Sequence, residues 1–409
     1  MRRRLIFYCQ PVLGMGHLVR SLAILGGLPG FEIWFVNGGR PLNDDLRRMA
    51  PNNVQIVELP ALQSDSNFQE LRPAATSPEA TVDQEAGMPL HPIPDSQSIL
   101  SMWERRREIL LDLLESVAPE ILLIELYPFG RLKFDAELRP LLEAARQRTS
   151  APRIICSLRD ILVAKRDQTG FEDFAINTAN RFFDLILIHS DPRFQRLDET
   201  FRPIERLSCR VEYTGYITRP ISGGDTARPQ GEPKLIASIG GGRVGIELLW
   251  TTIAASRRLQ PTTPHHLTIF TGPYLPEGDF RELTAKCAGD PRIEVNRFTP
   301  DLALEMRRAN LSISLAGYNT CMDIIVAGVA AIVLPFTGNN NLEQTQRAQK
   351  LAELGLARII APGELNAERL ADLIGLSLRR PPTPAALLPD LGGVEKTAQL
   401  LRDILSGNG

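Results

Sequence analysis

The sequence predicts an α/β protein with two tandem Rossmann-like domains, each a doubly wound parallel sheet, and a cleft between the domains. Short, wholly apolar runs alternate with segments of helical periodicity along most of the 409 residues. Runs that are apolar throughout are typical of strands buried on both faces, as in a parallel sheet covered by helices. A Pro- and Gly-rich stretch at 218–233 interrupts the alternation and predicts a linker.

In the first half, apolar runs predict the strands, and amphipathic stretches between several of them predict helices. The stretch at 61–97 is rich in Pro, Ser, Glu and Gln and has no sustained period, so we expect a long mobile loop there. The predicted strands are 4–9, 31–36, 54–58, 120–125, 153–158 and 184–189, and helices fit at 18–28, 98–117 and 135–149.

The second half repeats the alternation more regularly. We therefore expect an N-terminal domain over 1–217, a C-terminal domain over 234–390 and a closing helix within 391–409. The predicted strands of this half are 234–239, 266–271, 292–296, 311–315, 330–335 and 357–360, and the predicted helices are 245–258, 279–288, 300–308, 319–327, 342–354, 366–378 and 393–406.

The composition excludes several classes of protein. A hydrophobic fraction of 43% provides ample apolar mass for packed cores, which excludes a disordered chain. Because 46 Lys and Arg nearly balance 48 Asp and Glu, we expect no nucleic-acid partner. No apolar run reaches the ~18–20 residues of a membrane span. The five cysteines show no metal-ligand spacing, which predicts a reducing, cytoplasmic location and no metal site.

Ligands of open parallel sheets bind at the carboxyl ends of the strands, so the residues that follow each strand are the candidates. Gly14 and Gly16 follow the first strand and lead into a helix together with His17. Glycines let backbone N–H groups approach an anion, and a helix N-terminus adds partial positive charge. His17 could act as a general base or donate to a phosphate or hydroxyl. The short motif equally fits a tight turn with a solvated histidine.

The first strand of the second half leads into three consecutive glycines. Gly240, Gly241 and Gly242 precede a predicted helix and could wrap a diphosphate, and Arg243 could add a charged contact. The run is neither a P-loop nor a complete GxGxxG, and the alternative is a tight turn alone.

The fourth strand of the second half is followed by a polar helix start. Asn319 and Thr320, after Gly317, are suited to capping a helix whose exposed N–H groups would bind phosphate. Asp323 lies one turn further and could accept hydrogen bonds from a ribose diol, as an acid does in dinucleotide-binding folds. A capped helix with an acid that favours the helix dipole is the alternative.

Two more sets of polar residues follow strands. Glu343 and Gln344 enter a predicted helix and could bind sugar hydroxyls, or form part of a solvated loop. Glu125 ends a strand of the first half, and Arg159 and Asp160 follow the next one. They are candidates for acid/base or acceptor contacts, although each equally fits a salt bridge or a turn.

With these motifs, the sequence resembles the GT-B-type glycosyltransferases. Among these enzymes it is most similar to the MurG-like group, which has the family 28 type of C-terminal domain. Some segments of the first half also resemble an uncharacterised branch of predicted transferases. The order and spacing match over most of the second half, whereas the first half matches only at the Gly–His turn and in its alternation. The motifs that carry the likeness are Gly14–His17, Gly240–Gly242, Phe298-Thr299-Pro300-Asp301, Gly317–Asp323, Ala327-Gly328, Leu334-Pro335-Phe336, Glu343-Gln344 and Arg347-Ala348.

The resemblance implies roles for individual residues. Backbone near Phe298 and Thr299 would read the nucleobase, and Asp323 matches the ribose-binding acid, where the family more usually has Glu. The closing helix would cross back to the N-terminal domain. Further implied roles are donor diphosphate binding by Gly241, Gly242, Asn319 and Thr320, donor-sugar contact by Glu343 and Gln344, and acceptor phosphate binding or catalysis by His17.

The function implied is a metal-independent glycosyltransferase that moves a sugar from a nucleotide-diphosphate sugar, UDP-linked, to an acceptor hydroxyl, with no cofactor besides the donor substrate. His17, or Asp160 as second choice, would remove the acceptor proton. The acceptor is a small molecule or a lipid-linked one, and residues 2–4 with the 61–97 loop leave peripheral membrane contact open. The alternatives are a nucleotide-sugar hydrolase or epimerase on the same fold, and a non-catalytic nucleotide-sugar-binding subunit.

Overall fold

The chain folds into two compact units, each of which is described by itself. The first comprises Met1–Gly215 and Gly392–Gly409, and the second comprises Tyr216–Leu391. The structure, a computed structural model, describes residues 2–11, 15–42, 44–64, 71–73, 96–219, 221, 231–338, 342–379 and 388–407.

The first unit is built on a seven-stranded, all-parallel sheet in the order β3-β2-β1-β6-β7-β8-β9. β1 starts with two arginines and continues with five buried residues, as expected of a central strand covered on both faces. A short antiparallel pair, β4 with β5, lies outside this sheet. The strands are β1 Arg3–Cys9, β2 Phe31–Asn37, β3 Val54–Glu58, β4 Leu62–Ser64, β5 Leu71–Pro73, β6 Ile121–Glu125, β7 Arg153–Leu158, β8 Leu185–Ile188 and β9 Arg210–Tyr213.

Helices connect the parallel strands of the first unit, as crossover connections require. Buried side chains of three of these helices, at 96–117, 135–147 and 168–182, join those of the sheet in one core. The helices are α1 Met15–Gly26, α2 Asp44–Arg48, α3 Ser96–Val117, α4 Asp135–Gln147 and α5 Gln168–Phe182.

The second unit holds a six-stranded parallel sheet in the order β12-β11-β10-β13-β14-β15. Its strands are β10 Lys234–Ser238, β11 His266–Phe270, β12 Ile293–Asn296, β13 Leu311–Leu315, β14 Ala330–Leu334 and β15 Ala357–Ile359. Its helices are α6 Ile246–Leu259, α7 Glu277–Cys287, α8 Leu302–Arg307, α9 Tyr318–Ala327, α10 Glu343–Glu353 and α11 Ala367–Leu378.

The last helix, α12 Gly393–Leu405, belongs to the first unit. It packs against α1, where Gly27 leaves space for Val394: a Cβ on Gly27 would lie 2.4 Å from Val394 Cγ1. Leu401, on the same helix, is fully buried. The chain therefore completes its first unit with its last residues.

The predicted fold class is confirmed, since both halves form Rossmann-like parallel sheets with helical connections. Helix α5 and strand β9 were not predicted. Within the predicted loop at 61–97, the β4–β5 pair and the start of α3 are ordered, while 65–70 and 74–95 lie outside the described residues, as do 220 and 222–230 of the predicted linker. Among the helices of the described residues, none combines the length and the apolar character that a bilayer span requires.

Candidate functional site

The glycine-rich turn after β10 is shaped by close backbone packing. Gly242 has a φ of +88°, and a Cβ there would lie 2.5 Å from the Thr271 carbonyl oxygen. Gly272 has a φ of +87°, and its Cβ would lie 2.3 Å from the carbonyl oxygen of Gly240. Only glycine fits these two positions without strain. The loops after β10 and β11 are therefore held together, backbone against backbone.

The same turn starts α6. Gly245 is the N-cap, with a φ of +90°, and a Cβ there would lie 2.7 Å from Leu315 Cδ1 at the end of β13. Gly241 accepts a hydrogen bond from the Tyr274 N–H at 2.9 Å, and the Arg243 guanidinium lies 5.0 Å from the Tyr274 ring centre. Gly240, at a φ of +65°, faces open space, which leaves its side of the turn accessible.

Helix α9 starts directly after the adjacent strand β13. Its N-cap is Gly317, in an extended conformation, and the first helical hydrogen bond runs from the Cys321 N–H to the Gly317 carbonyl at 2.9 Å. The prediction that Asn319 and Thr320 cap this helix is therefore wrong, because both lie inside its first turn. Their position still places first-turn N–H groups at the carboxyl edge of the sheet, where an anion would bind.

Asp323 lies one turn into α9 and is partly buried. Its carboxylate makes no hydrogen bond or ion pair with any described residue, which is uncommon for a carboxylate at this depth. Burial raises the pKa of Asp323 to about 7, with Asp301 acting in the same direction and Arg219 opposing it. The ionised form of this carboxylate can accept hydrogen bonds from a bound polar ligand.

The start of α10 carries an internal ion pair. Glu343 is nearly buried and accepts a hydrogen bond at 3.0 Å from Arg347, whose guanidinium is fully buried and lies 5.4 Å from the Tyr318 ring centre. Gln344 Oε1 accepts from the Phe336 N–H at 3.0 Å. Both predicted sugar contacts therefore have protein partners here, and residues 339–341 of the preceding loop lie outside the described residues.

Phe298 and Thr299 follow β12 and are partly exposed. Thr299 Oγ1 accepts from the Asp301 N–H at 3.2 Å, and Asp301 caps α8 by accepting from the Leu304 N–H at 3.0 Å. This turn holds the backbone near Phe298 at the carboxyl edge of the second sheet.

In the first unit, His17 and Glu125 form a hydrogen-bonded pair. His17 lies in the first turn of α1 and Glu125 is the last residue of the neighbouring strand β6, and Nδ1 of His17 lies 2.6 Å from Glu125 Oε1. Arg20, one turn further along α1, pairs with the same carboxylate. The His17 side chain is 13% exposed, whereas that of Glu125 is fully buried.

The charges of this pair follow from its surroundings. Burial lowers the pKa of His17 to about 4, although Glu125 opposes the shift. Burial would raise the pKa of Glu125, but the charge of His17 and its hydrogen bond, followed by Arg20 and Arg131, lower it to about 2. At neutral pH the imidazole is therefore neutral and Glu125 is ionised. We assign the Nδ1 proton to the Glu125 hydrogen bond, which leaves Nε2 as a proton acceptor.

The other predicted residues of the first unit differ in exposure. Asp160 is buried and accepts from the Ile161 N–H at 2.9 Å, while Arg159 is partly exposed. Gly16 is exposed in the first turn of α1, and Gly14 lies outside the described residues. The structure thus brings Glu125 and His17 together. It buries Asp160, so that this carboxylate would have little access to a substrate proton.

Sequence reasoning missed Arg20 and Arg131 beside Glu125. It also missed a buried network in which Arg106 binds both carboxylate oxygens of Glu137, at 2.6 and 2.9 Å. Arg20 was detectable only through its i+3 spacing from His17, which puts both side chains on one face of α1. In the described part of the chain, no group of three or more His, Cys, Asp or Glu side chains has the arrangement of a metal site.

Comparison with known sequences identifies the second unit. Residues 236–388 match the sequence model of the glycosyltransferase family 28 C-terminal domain. The matched residues make up most of the second unit. This confirms the predicted MurG-like resemblance, and the family 28 domain contains the glycine-rich turn, the start of α9 and Asp323.

Curated relatives are similar to part of this chain. The UDP-N-acetylglucosamine--N-acetylmuramyl-(pentapeptide) pyrophosphoryl-undecaprenol N-acetylglucosamine transferase of Thiobacillus denitrificans is 29% identical over 173 residues, which are 41% of this chain and 47% of that protein. The protein of the same name from Chelativorans sp. is 28% identical over 203 residues, 48% of this chain and 54% of that protein. The one from Sinorhizobium fredii is 38% identical over 88 residues, 22% and 24% of the two chains. The chain thus spans about a quarter to about half the length of these relatives.

Solved structures show the same fold over the whole chain. The calicheamicin glycosyltransferase CalG4 matches with a TM-score of 0.57 and 18% identity, covering 100% of this chain and 96% of that chain. MurG of Acinetobacter baumannii matches with a TM-score of 0.55 and 16% identity, covering 99% of each chain. Spinosyn rhamnosyltransferase SpnG complexed with thymidine diphosphate matches with a TM-score of 0.55 and 15% identity, covering 99% and 96%. The fold is GT-B.

Proposed function

We propose that this protein is a glycosyltransferase that uses a nucleotide-diphosphate sugar as donor, with the family 28 domain as the donor site. The observation that carries the proposal is Asp323. It is a partly buried carboxylate without a hydrogen-bond partner among the described residues, and it stands one turn inside the helix that starts next to the glycine-rich turn. A ribose diol would supply the hydrogen-bond donors that this carboxylate lacks.

The donor diphosphate would lie on backbone amides. Gly241 and Gly242 at the turn, and the first turn of α9 with Asn319 and Thr320, supply N–H groups and the positive end of a helix dipole. Phe298 and Thr299 would line the nucleobase. We propose UDP as the nucleotide because the curated relatives are named for UDP-N-acetylglucosamine. Glu343, which pairs with Arg347, would contact the donor sugar.

His17 is the proposed general base. The acceptor oxygen would attack the anomeric carbon as the bond from that carbon to the diphosphate oxygen breaks, and the diphosphate would leave with the bonding electron pair. The acceptor proton would move to Nε2 of His17, while Glu125 holds Nδ1 and stabilises the imidazolium that forms. This geometry favours His17 over Asp160, whose carboxylate is buried.

Amide N–H groups and helix dipoles would stabilise the leaving diphosphate, so we propose transfer without a metal ion. The direct check is the rate of donor turnover before and after extensive treatment with EDTA. An unchanged rate is expected. A rate that falls, and returns on adding Mg²⁺ or Mn²⁺, would overturn metal independence while leaving the donor site untouched.

Product analysis tests the reaction class. The full chain is incubated with each nucleotide sugar, with and without a panel of neutral, phosphorylated and lipid-linked hydroxyl compounds, and products are followed by mass spectrometry. Transfer predicts a sugar-bearing acceptor and an equal amount of free nucleoside diphosphate. Free sugar as the main product in every mixture would indicate a hydrolase, an isomerised donor would indicate an epimerase, and binding without turnover would indicate a non-catalytic subunit.

A further inference from the structure

A row of polar side chains crosses the first sheet at its carboxyl edge. Glu125 of β6 aligns with Ser157 of β7, so their side chains leave neighbouring strands on the same face of the sheet. His189 directly follows β8, and Thr214 directly follows β9, whose last residue aligns with the last residue of β8. All four side chains are buried. The row therefore extends from the partner of His17 to the strand at the edge of the sheet.

Hydrogen bonds connect the last three members of the row. Nε2 of His189 lies 2.8 Å from the Ser157 hydroxyl oxygen, and Nδ1 lies 2.9 Å from the Thr214 hydroxyl oxygen. The Thr214 hydroxyl donates to the Gly215 carbonyl at 2.8 Å, so we assign the Nδ1 proton to the Thr214 oxygen. Burial lowers the pKa of His189 to about 3, so the ring is uncharged at neutral pH and Nε2 carries no proton. The Ser157 hydroxyl therefore donates to His189.

The direction of this hydrogen bond matters for Glu125. Oε1 of Glu125 accepts from His17 and pairs with Arg20, whereas Oε2 is buried and accepts no hydrogen bond from the described residues. Aligned residues on neighbouring strands lie about 5 Å apart, a distance that a rotated serine hydroxyl and a glutamate side chain span. A hydroxyl that donates to a carboxylate disperses the negative charge that would stabilise a protonated His17. By accepting from Ser157, His189 keeps this hydroxyl away from Glu125.

We propose that His189 is a positioning residue for the His17–Glu125 pair: it holds the Ser157 hydroxyl turned away from Glu125, so that the full charge of the carboxylate acts on His17. The proposal rests on the proposed transferase function, in which His17 takes the acceptor proton, and adds a residue to that reaction. His189 acts through Ser157 and touches no substrate, because its own side chain is fully buried.

NMR of the imidazole groups in the full chain, at neutral pH and without substrate, tests the direction of these hydrogen bonds. Wild-type His189 should carry its proton on Nδ1 and none on Nε2. The His17 Nδ1 proton should be strongly deshielded by Glu125, and its signal should move upfield in His189→Phe as the Ser157 hydroxyl turns to the carboxylate. A proton on Nε2 of wild-type His189, or an unmoved His17 signal in folded His189→Phe, would overturn the proposal.

His265→Phe is the matched control. His265 is also fully buried, and its Nε2 lies 2.8 Å from the Ser256 hydroxyl oxygen and its Nδ1 2.6 Å from the Thr263 carbonyl oxygen. It directly precedes β11, at the amino end of the second sheet. Both substitutions should lower the unfolding temperature, because each leaves buried polar partners unpaired. Only His189→Phe should move the His17 signal, and equal movement in both variants would contradict a specific role for His189.

Thr214→Val is a gentler change that keeps the test decisive if His189→Phe fails to fold. Valine has nearly the shape of threonine but cannot accept the Nδ1 proton. The His189 proton should therefore move to Nε2 and donate to Ser157, and the His17 signal should move as in His189→Phe. Thr252→Val, which removes a buried hydroxyl that donates to the Leu248 carbonyl at 2.7 Å, should leave the signal unchanged. An unmoved signal in folded Thr214→Val would overturn the proposal.

Transfer assays connect the row to the reaction. In His189→Phe and in Thr214→Val, kcat should fall about tenfold, the scale of one hydrogen bond to a charged group, while the donor KM stays as in wild type. His265→Phe should keep wild-type kcat. Adding Ser157→Ala to His189→Phe removes the hydroxyl that turns to Glu125 and should restore most of the lost kcat. No restoration would contradict the proposed route through Ser157.

The two readouts separate failure of this inference from failure of the proposed function. A moved His17 signal with unchanged kcat would contradict His17 as the general base, while the directions of the hydrogen bonds would stand. A lowered kcat with an unmoved His17 signal would overturn this inference alone, because His189 would then act on the reaction by another route.

Discussion

His17 donates its Nδ1 proton to Glu125 and keeps Nε2 free to accept one, so Glu125 determines the tautomer of the proposed base. Replacing Glu125 by Gln removes the charge that stabilises the imidazolium. We expect Glu125→Gln to lower kcat by about 10²-fold or more, the range of general-base catalysis. Initial rates of donor turnover, with thermal unfolding to verify the fold, would measure this.

The matched control is Glu143→Gln, because the Glu143 side chain is 40% exposed in a surface pair with Arg181. It should keep wild-type kcat. The pH profile gives a second readout: wild-type kcat, measured at saturating donor, should fall as pH drops through the His17 pKa of about 4, since the base must be neutral. In Glu125→Gln this limb should move to lower pH, because Arg20 and Arg131 remain. Wild-type kcat in Glu125→Gln would exclude the pair from catalysis.

Asp323 predicts a pH dependence of nucleotide binding. Its pKa is raised to about 7, so the ionised form that accepts hydrogen bonds from ribose is lost as pH falls through that value. We expect nucleotide affinity to weaken as pH falls from about 8 to about 6, a range centred on the pKa of Asp323. The affinity of the Asp323→Asn protein should weaken much less over the same range. Calorimetric titrations at several pH values would show it. Parallel curves for the two proteins would mean that the ligand's own ionisation causes the change.

At the scale of elements, the glycine-rich turn depends on a second loop that packs against it. Gly272→Ala introduces a Cβ 2.3 Å from a backbone oxygen at a φ of +87°. We expect a loss of at least about 1–3 kcal/mol in the free energy of unfolding, and a donor affinity reduced by about tenfold or more as the turn shifts. Chemical denaturation and nucleotide titration would measure the two effects.

Gly375→Ala is the matched control for Gly272→Ala. Gly375 lies inside α11, with open space around its Cβ position. There, alanine should stabilise the protein by about 0.5–1 kcal/mol through helix propensity. A Gly272→Ala protein as stable as the Gly375→Ala one would contradict the backbone packing described for the turn.

The position of helix α12 predicts that the stability of the first unit depends on residues far away in the sequence. Leu401 is fully buried in that unit although it stands near the end of the chain. Leu401→Ala should lower the free energy of unfolding by about 2–5 kcal/mol, whereas Leu376→Ala, at a leucine that is 44% exposed, should stay within about 0.5 kcal/mol of wild type. Differential scanning calorimetry would compare them. Equal stability of the two variants would show that α12 contributes little to the core.

Continuous apolar strands made most of the architecture predictable. The residues of β1 and β6 are apolar because both faces of the sheet are covered by helices. Such an apolar run can be recognised in the sequence without knowing which elements will pack against it. β9 was missed because Arg210–Tyr213 alternates polar and apolar residues at the edge of the sheet. α5 was missed because Gly170 and two asparagines weaken its helical pattern, and tertiary packing overrides that weakness.

The candidate site was predictable to a different degree in each unit. The glycine-rich turn at 240–242 follows strand β10 and Asp323 lies in the helix that follows β13, so the order of elements in the sequence indicated both positions. The pairing of Glu343 with Arg347 was visible as an i,i+4 spacing but was not weighed against sugar binding. Arg131 could not be found, because a lone arginine carries no pattern and the burial of its guanidinium nitrogens is a property of the folded structure.

At the scale of the whole molecule, we propose that a protein of GT-B fold binds a nucleotide sugar in its family 28 domain. The most direct test is thermal unfolding of the purified chain against nucleoside diphosphates and their sugars, including uridine and thymidine forms. A ligand at 100 times its Kd should add about 2.7 kcal/mol of stability. Asp323→Ala should lose about 1–3 kcal/mol of nucleotide binding. Asp372→Ala, at an exposed position on α11, should bind like wild type. No shift with any nucleotide, or an equal shift in wild type and Asp323→Ala, would contradict nucleotide binding at Asp323 in this domain.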